Sequence, residues 1–131
     1  MKRSNSFTLL EILICLVLLT MVGTFATIRG YSVLQDFRSK NSYKRLIEES
    51  LLSQSLSSSY RIDIELELHQ EKNRVILVRK TDLAPVKIAN LFNKKIELPN
   101  LILNEENEVL RFYPSILLDP VDRVKTIINS N

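Results

Sequence analysis

Phe7-Thr8-Leu9-Leu10-Glu11-Ile12-Leu13-Ile14-Cys15-Leu16-Val17-Leu18-Leu19 opens an apolar run that extends to Ile28 and contains one charge, Glu11. As a helix rising 1.5 Å per residue, the run from 7 to 28 covers about 33 Å, enough to cross the hydrocarbon core of a bilayer. A charged side chain at the centre of a membrane helix costs roughly 2.5–3.5 kcal/mol on insertion scales, and less toward an end. An acid inside such a segment therefore reads as functional and needs a partner. One is available from the sequence itself. A cut between Ser6 and Phe7 creates an α-amine on Phe7, whose positive charge would neutralise Glu11 of its own chain or of a neighbouring copy.

The short basic start Met1-Lys2-Arg3-Ser4-Asn5-Ser6, the string Phe7-Thr8-Leu9-Leu10-Glu11 and the hydrophobic helix that follows together resemble the type IV pilin and pseudopilin family. Members carry a basic leader, a peptidase site before a Phe, and the same Phe-Thr-Leu-Leu-Glu string. The residue before the cut is usually Gly in the family. Here it is Ser6, which is small enough for a tight peptidase pocket. The resemblance implies leader cleavage between Ser6 and Phe7, N-methylation of Phe7 by the same peptidase, and assembly through Phe7, Glu11, Leu9, Leu10 and Leu13, with Ile12 and Leu16 adding apolar contact. The implied partners are a prepilin peptidase, other pilin or pseudopilin subunits, an inner-membrane assembly platform, and lipid before assembly.

Two plainer readings compete. A secretory signal has the right basic start, and Thr24-Phe25-Ala26 is a passable cleavage site. Yet an ordinary signal core is roughly 7–15 residues and uncharged. A simple single-pass anchor explains the length of the run but gives no reason for Glu11.

The 131-residue chain leaves room for one modest domain beyond the anchor. Its formal charge of +3 falls to about +1 once Lys2 and Arg3 are removed, so no basic surface of the size nucleic acid requires remains. Those two cations precede the span, and the positive-inside tendency puts the N-terminus in the cytoplasm and the rest outside it. Arg29, Arg38 and Lys40 on the far side weaken that asymmetry. The single cysteine, Cys15, lies in the span and forms no intramolecular disulfide.

From Ile28 to about Ser57 the apolar positions Tyr31, Leu34, Phe37, Tyr43, Leu46, Ile47, Leu51 and Leu52 recur mostly at helical steps, with charged residues between them. Gly23 and Gly30 mark places where such a rod bends, or are simply tolerated. Ser53–Ser59 reads as the helix end and a linker. Tyr60–His69 then alternates apolar and polar residues, the pattern of a half-buried strand. Arg74–Arg79 follows as its hairpin partner, Val86–Ala89 as a short edge strand and Lys95–Leu98 as another. Leu101–Leu103 and Val109–Tyr113 flank an acidic turn. The expected fold is α+β: a long N-terminal helix, membrane-spanning in its first half, packed on a small antiparallel meander. Its divisions are leader 1–6, assembly helix 7–28, extramembrane helix 29–57 and sheet domain 58–131.

Catalytic chemistry has little footing. His69 is the only histidine, and there is no Cys–His pair, glycine-rich phosphate loop or nucleophile elbow. Zinc would need three or four N or S ligands, which one His and one Cys do not supply. Glu105, Glu106, Glu108, Asp119 and Asp122, with Asn107, offer the hard oxygens that calcium takes, without EF-hand spacing. No other cofactor is indicated.

The sequence therefore points to a non-enzymatic structural subunit. Val109-Leu110-Arg111-Phe112-Tyr113-Pro114 loosely resembles a segment of minor pseudopilins of type II secretion, in which a strand bearing Phe ends at a Pro. This favours a periplasmic pseudopilus for protein secretion over a minor pilin of a type IV pilus or DNA-uptake filament. The rival from another class is a membrane-anchored binding module that never polymerises.

Overall fold

The computed structural model describes residues 8–115 and 119–128. Helix α1 (Leu9–Tyr60) comes first, then strands β1 (Ile64–Glu71) and β2 (Arg74–Lys80), a 3-10 turn at Val86–Leu91, strands β3 (Lys95–Pro99) and β4 (Asn107–Phe112), and helix α2 (Pro120–Ile127). This is an α+β layout, a long N-terminal helix followed by a small four-stranded antiparallel sheet. The chain divides into two compact units, Met1–Asp36 and Phe37–Asn131. The division falls inside α1.

In the first unit every described side chain is exposed. Its helical segment is long and apolar enough to cross a membrane. The hydroxyls along it satisfy themselves: Thr20 donates to the carbonyl of Val17 at 2.8 Å, Thr24 to that of Thr20 at 2.8 Å, and Thr27 to that of Gly23 at 2.8 Å. A helix facing hydrocarbon has to pair its polar groups internally, and these side chains do so. α1 passes through Gly23 and Gly30 without a break, and a Cβ at either position would meet nothing within 4 Å.

In the second unit one face of the sheet buries Ile64, Leu66 and Leu68 of β1, Val75 and Leu77 of β2, Leu98 of β3, and Leu110 and Phe112 of β4. Leu46 and Leu56 of α1 join the same core, as do Val124 and Ile127 of α2. Ile62, expected in this row, packs at its rim as a half-buried residue.

Ser53–Ser59, expected as the helix end and a linker, lies within α1. Ser42, Ser50, Ser53 and Ser57 are buried on the α1 face that meets the sheet. Ser50 donates to the Leu46 carbonyl at 2.8 Å and Ser53 to the Glu49 carbonyl at 2.7 Å. Once its hydroxyl is paired with the preceding turn, serine is a small side chain that lets a helix approach a sheet closely. α1 ends when Arg61 turns left-handed (φ 53°) and the Ile62 amide donates back to the Ser57 carbonyl at 3.3 Å, the pattern of a Schellman cap.

Three more expectations change. Val86–Ala89 is part of the 3-10 turn, not an edge strand. Val86 is 95 % exposed while Ile88 is buried, and no strand is paired with either. The sheet order is β3-β2-β1-β4, so β4 pairs with β1 and the sheet is not a simple meander. Leu101–Leu103 is not a strand of this sheet. The Gln70 side chain takes a strand's place there, donating to the Leu101 carbonyl at 3.2 Å and accepting from the Leu103 amide at 2.9 Å. Helix α2 was not anticipated. Asp119 caps it by accepting from the Val121 amide at 2.9 Å, and Pro120 stands at its first position.

Candidate assembly site at the start of the long helix

Thr8 stands immediately before α1, and Glu11 lies in the first turn. The first amides of any helix lack intrahelical acceptors. Here Thr8 and Glu11 supply partners to each other. The Thr8 amide donates to Glu11 Oε2 at 2.9 Å, and the Thr8 hydroxyl reaches the same oxygen at 3.3 Å. In return the Glu11 amide is shared between the Thr8 carbonyl, at 3.0 Å, and the Thr8 Oγ1, at 3.4 Å. This is the reciprocal capping box of a Thr-x-x-Glu sequence. It holds the carboxylate at the helix end where the backbone dipole favours negative charge. Both bonds to the carboxylate use Oε2, so Oε1 has no bond within the described residues.

Around this box Leu9, Leu10, Ile12, Leu13 and Leu16 are all exposed. The segment thus combines an uncovered apolar surface with one fixed carboxylate. Ser6 and Phe7, expected at the cleavage and methylation points, lie outside the described residues.

Residues 1–27 match the family model of the prokaryotic N-terminal methylation motif. This is the type IV pilin-like prepilin cleavage motif, found on the residues whose pattern suggested it. A pilin-like motif implies cleavage by a prepilin peptidase and assembly with other pilin subunits. The single long apolar helix that follows suits a membrane-anchored, pilin-like chain. No curated protein and no solved structure matches the chain.

Sequence reasoning gave Glu11 a partner in the amine of Phe7 and overlooked Thr8. The signal was present, because a Thr three residues before a Glu at the start of an apolar run marks a helix N-terminus. The acids considered for calcium are scattered in role. Asp119 caps α2, Asp122 faces Lys125 at 3.8 Å, Glu108 is in β4, and Glu105 and Glu106 lie in the turn before it. Among the described residues, no group of three His, Cys, Asp or Glu side chains is placed to hold a metal ion.

Proposed function

We propose that this chain is a pseudopilin, made as an inner-membrane precursor with its N-terminus cytoplasmic and its sheet domain periplasmic. It is cut after Ser6, methylated on Phe7, and assembled through α1 into the pseudopilus of a type II secretion system. The observation that carries the proposal is Glu11. It is the one carboxylate in an uncovered apolar helix start, and it lies within the methylation motif.

The mechanism follows from electrostatics. In lipid, Glu11 near the end of the span is satisfied on one oxygen by the Thr8 box. When the helix leaves lipid to pack among other helices, an unpaired carboxylate there is strongly unfavourable. The amine of Phe7 on a subunit already in the filament neutralises it. An incoming subunit therefore docks only at the axial position where these charges meet, while Leu9, Leu10 and Leu13 supply non-directional apolar contact. A secretion role is favoured by the ending of β4 at Phe112, followed two residues later by Pro114, the feature that resembles minor pseudopilins.

Replacing Glu11 tests the proposal. Glu11→Leu should leave the amount of protein in the membrane unchanged and lower its recovery in sheared or cross-linked filaments by more than about tenfold. Normal assembly of Glu11→Leu would remove the mechanism and leave a plain anchored module.

A further inference from the structure

Most charges on the outward face of the sheet are paired. Glu65 meets Arg111 at 2.9 Å, Glu67 meets Lys80 at 2.6 Å, and Arg74 lies between Glu71 at 3.1 Å and Glu97 at 3.2 Å. Two other segments of the same unit break this pattern. The stretch Leu83–Ile96, which runs into the start of β3, carries Lys87, Lys94 and Lys95 and no carboxylate. None of the three lysines has an ion-pair partner among the described residues, and Leu83 and Val86 beside them are 77 % and 95 % exposed. The stretch Leu101–Glu108 carries no cation. There Glu105 and Glu106 are exposed and likewise unpaired, next to Ile102 at 48 % exposure.

These surfaces occupy opposite ends of one sheet. The Asn93 amide donates to the Arg79 carbonyl at 2.9 Å, which fixes the basic segment beside the C-terminal end of β2. The Gln70 amide donates to the Glu106 carbonyl at 2.8 Å, which fixes the acidic one beside the C-terminal end of β1. β1 and β2 are antiparallel, with Glu65 opposite Lys80 and Glu71 opposite Arg74. Those two ends are about 20 Å apart at the usual rise of a strand, so the surfaces do not meet within a chain.

We infer that Leu83, Val86, Lys87 and Lys94 of one copy dock on Ile102, Glu105 and Glu106 of the next copy. Each side offers exposed apolar side chains beside unpaired charge, and the two signs are opposite. A contact between different surfaces at opposite ends of a subunit is heterologous. It does not close into a twofold pair but propagates along a line of subunits. The inference rests on the filament reading above and adds to it a contact between sheet domains that does not involve the N-terminal helix.

Oxidative cross-linking of the full chain in its own cell envelope tests it, with Cys15→Ala removing the native thiol. A chain carrying both Val86→Cys and Ile102→Cys should give a ladder of oligomers, and a chain carrying either cysteine alone should give none. Lys87→Glu with Lys94→Glu should weaken the ladder about tenfold, and adding Glu105→Lys with Glu106→Lys should restore it. A separate Leu16→Cys chain reports helix-to-helix assembly. If Leu16→Cys cross-links and the Val86/Ile102 pair does not, the domain contact is overturned and the filament reading stands. Dimers from Val86→Cys or Ile102→Cys alone, or capture of a different protein at Val86→Cys, would also overturn it. No cross-linking at any position would end both readings.

Discussion

The backbone amide of Thr8 donates to the Glu11 carboxylate at 2.9 Å, and the Glu11 amide turns back toward the Thr8 side chain at 3.4 Å. The acid that defines the motif is therefore also part of the helix's own end. The box fixes where α1 begins and where its only charge in the apolar run is held.

Removing the Thr8 hydroxyl should loosen that end while leaving the charge. N-cap hydroxyls contribute about 0.5–2 kcal/mol, so Thr8→Val should raise amide hydrogen exchange at residues 10–12 by roughly fivefold in detergent micelles. Thr8→Ser should not. Equal protection in Thr8→Val and the parent chain would mean that the box contributes nothing to the helix start.

Among the described residues, Arg79 is the one buried cation of the sheet domain's core face. It donates to Glu49 Oε2 at 2.5 Å, to Ser53 Oγ at 2.9 Å and to the Leu91 carbonyl at 3.2 Å. It thereby joins β2, α1 and the 3-10 turn. Removing one member of a buried pair leaves the other uncompensated, at about 3–5 kcal/mol. Glu49 keeps some solvent access, so Arg79→Met should cost about 3 kcal/mol in chemical denaturation. Combining it with Glu49→Leu should recover most of that loss. Additive losses in the double variant would show that the pair is not coupled.

The serine face of α1 makes a contrasting prediction. Ser50 and Ser53 bond to their own helix, so Ser50→Ala should change stability by less than about 1 kcal/mol. Ser50→Leu places a branched side chain where no space remains and should cost about 1–3 kcal/mol or more. Thermal denaturation of the two variants separates close packing from hydrogen bonding as the reason for serine here. A well-tolerated leucine would contradict the close approach.

Arg61 pays for the end of α1 with a left-handed backbone (φ 53°). A side chain in that region costs roughly 1–2 kcal/mol relative to glycine. Arg61→Gly should therefore raise the melting temperature, and Arg61→Val should lower it. A drop for the glycine variant would mean that the Arg61 side chain makes a contribution larger than the strain it introduces.

The sequence was most legible where a local pattern has one physical meaning. Ile64, Leu66 and Leu68 alternate without a break and face the core together. Glu11 stood out because a single charge in an apolar run needs an explanation. Ser53–Ser59 misled because composition describes serine as a linker residue, whereas Ser53 and Ser57 continue a row of buried, bonded hydroxyls that starts at Ser42. Arg79 was readable in principle: the alternation of Val75 and Leu77 sends the next position inward, and only the expectation that arginine faces water hid it. The pairing of β4 with β1 had no local signal. It depends on which free edge is left after β3 closes the other side, and on Gln70 holding Leu101–Leu103 away from the ladder.

The central claim is that the mature chain begins at Phe7 with a charged amine available to Glu11. The most direct test is the intact mass and N-terminal sequence of protein extracted from the membrane. The account predicts a chain that starts at N-methylated Phe7. A chain starting at Met1, or one cut near Thr27 and released, would contradict it.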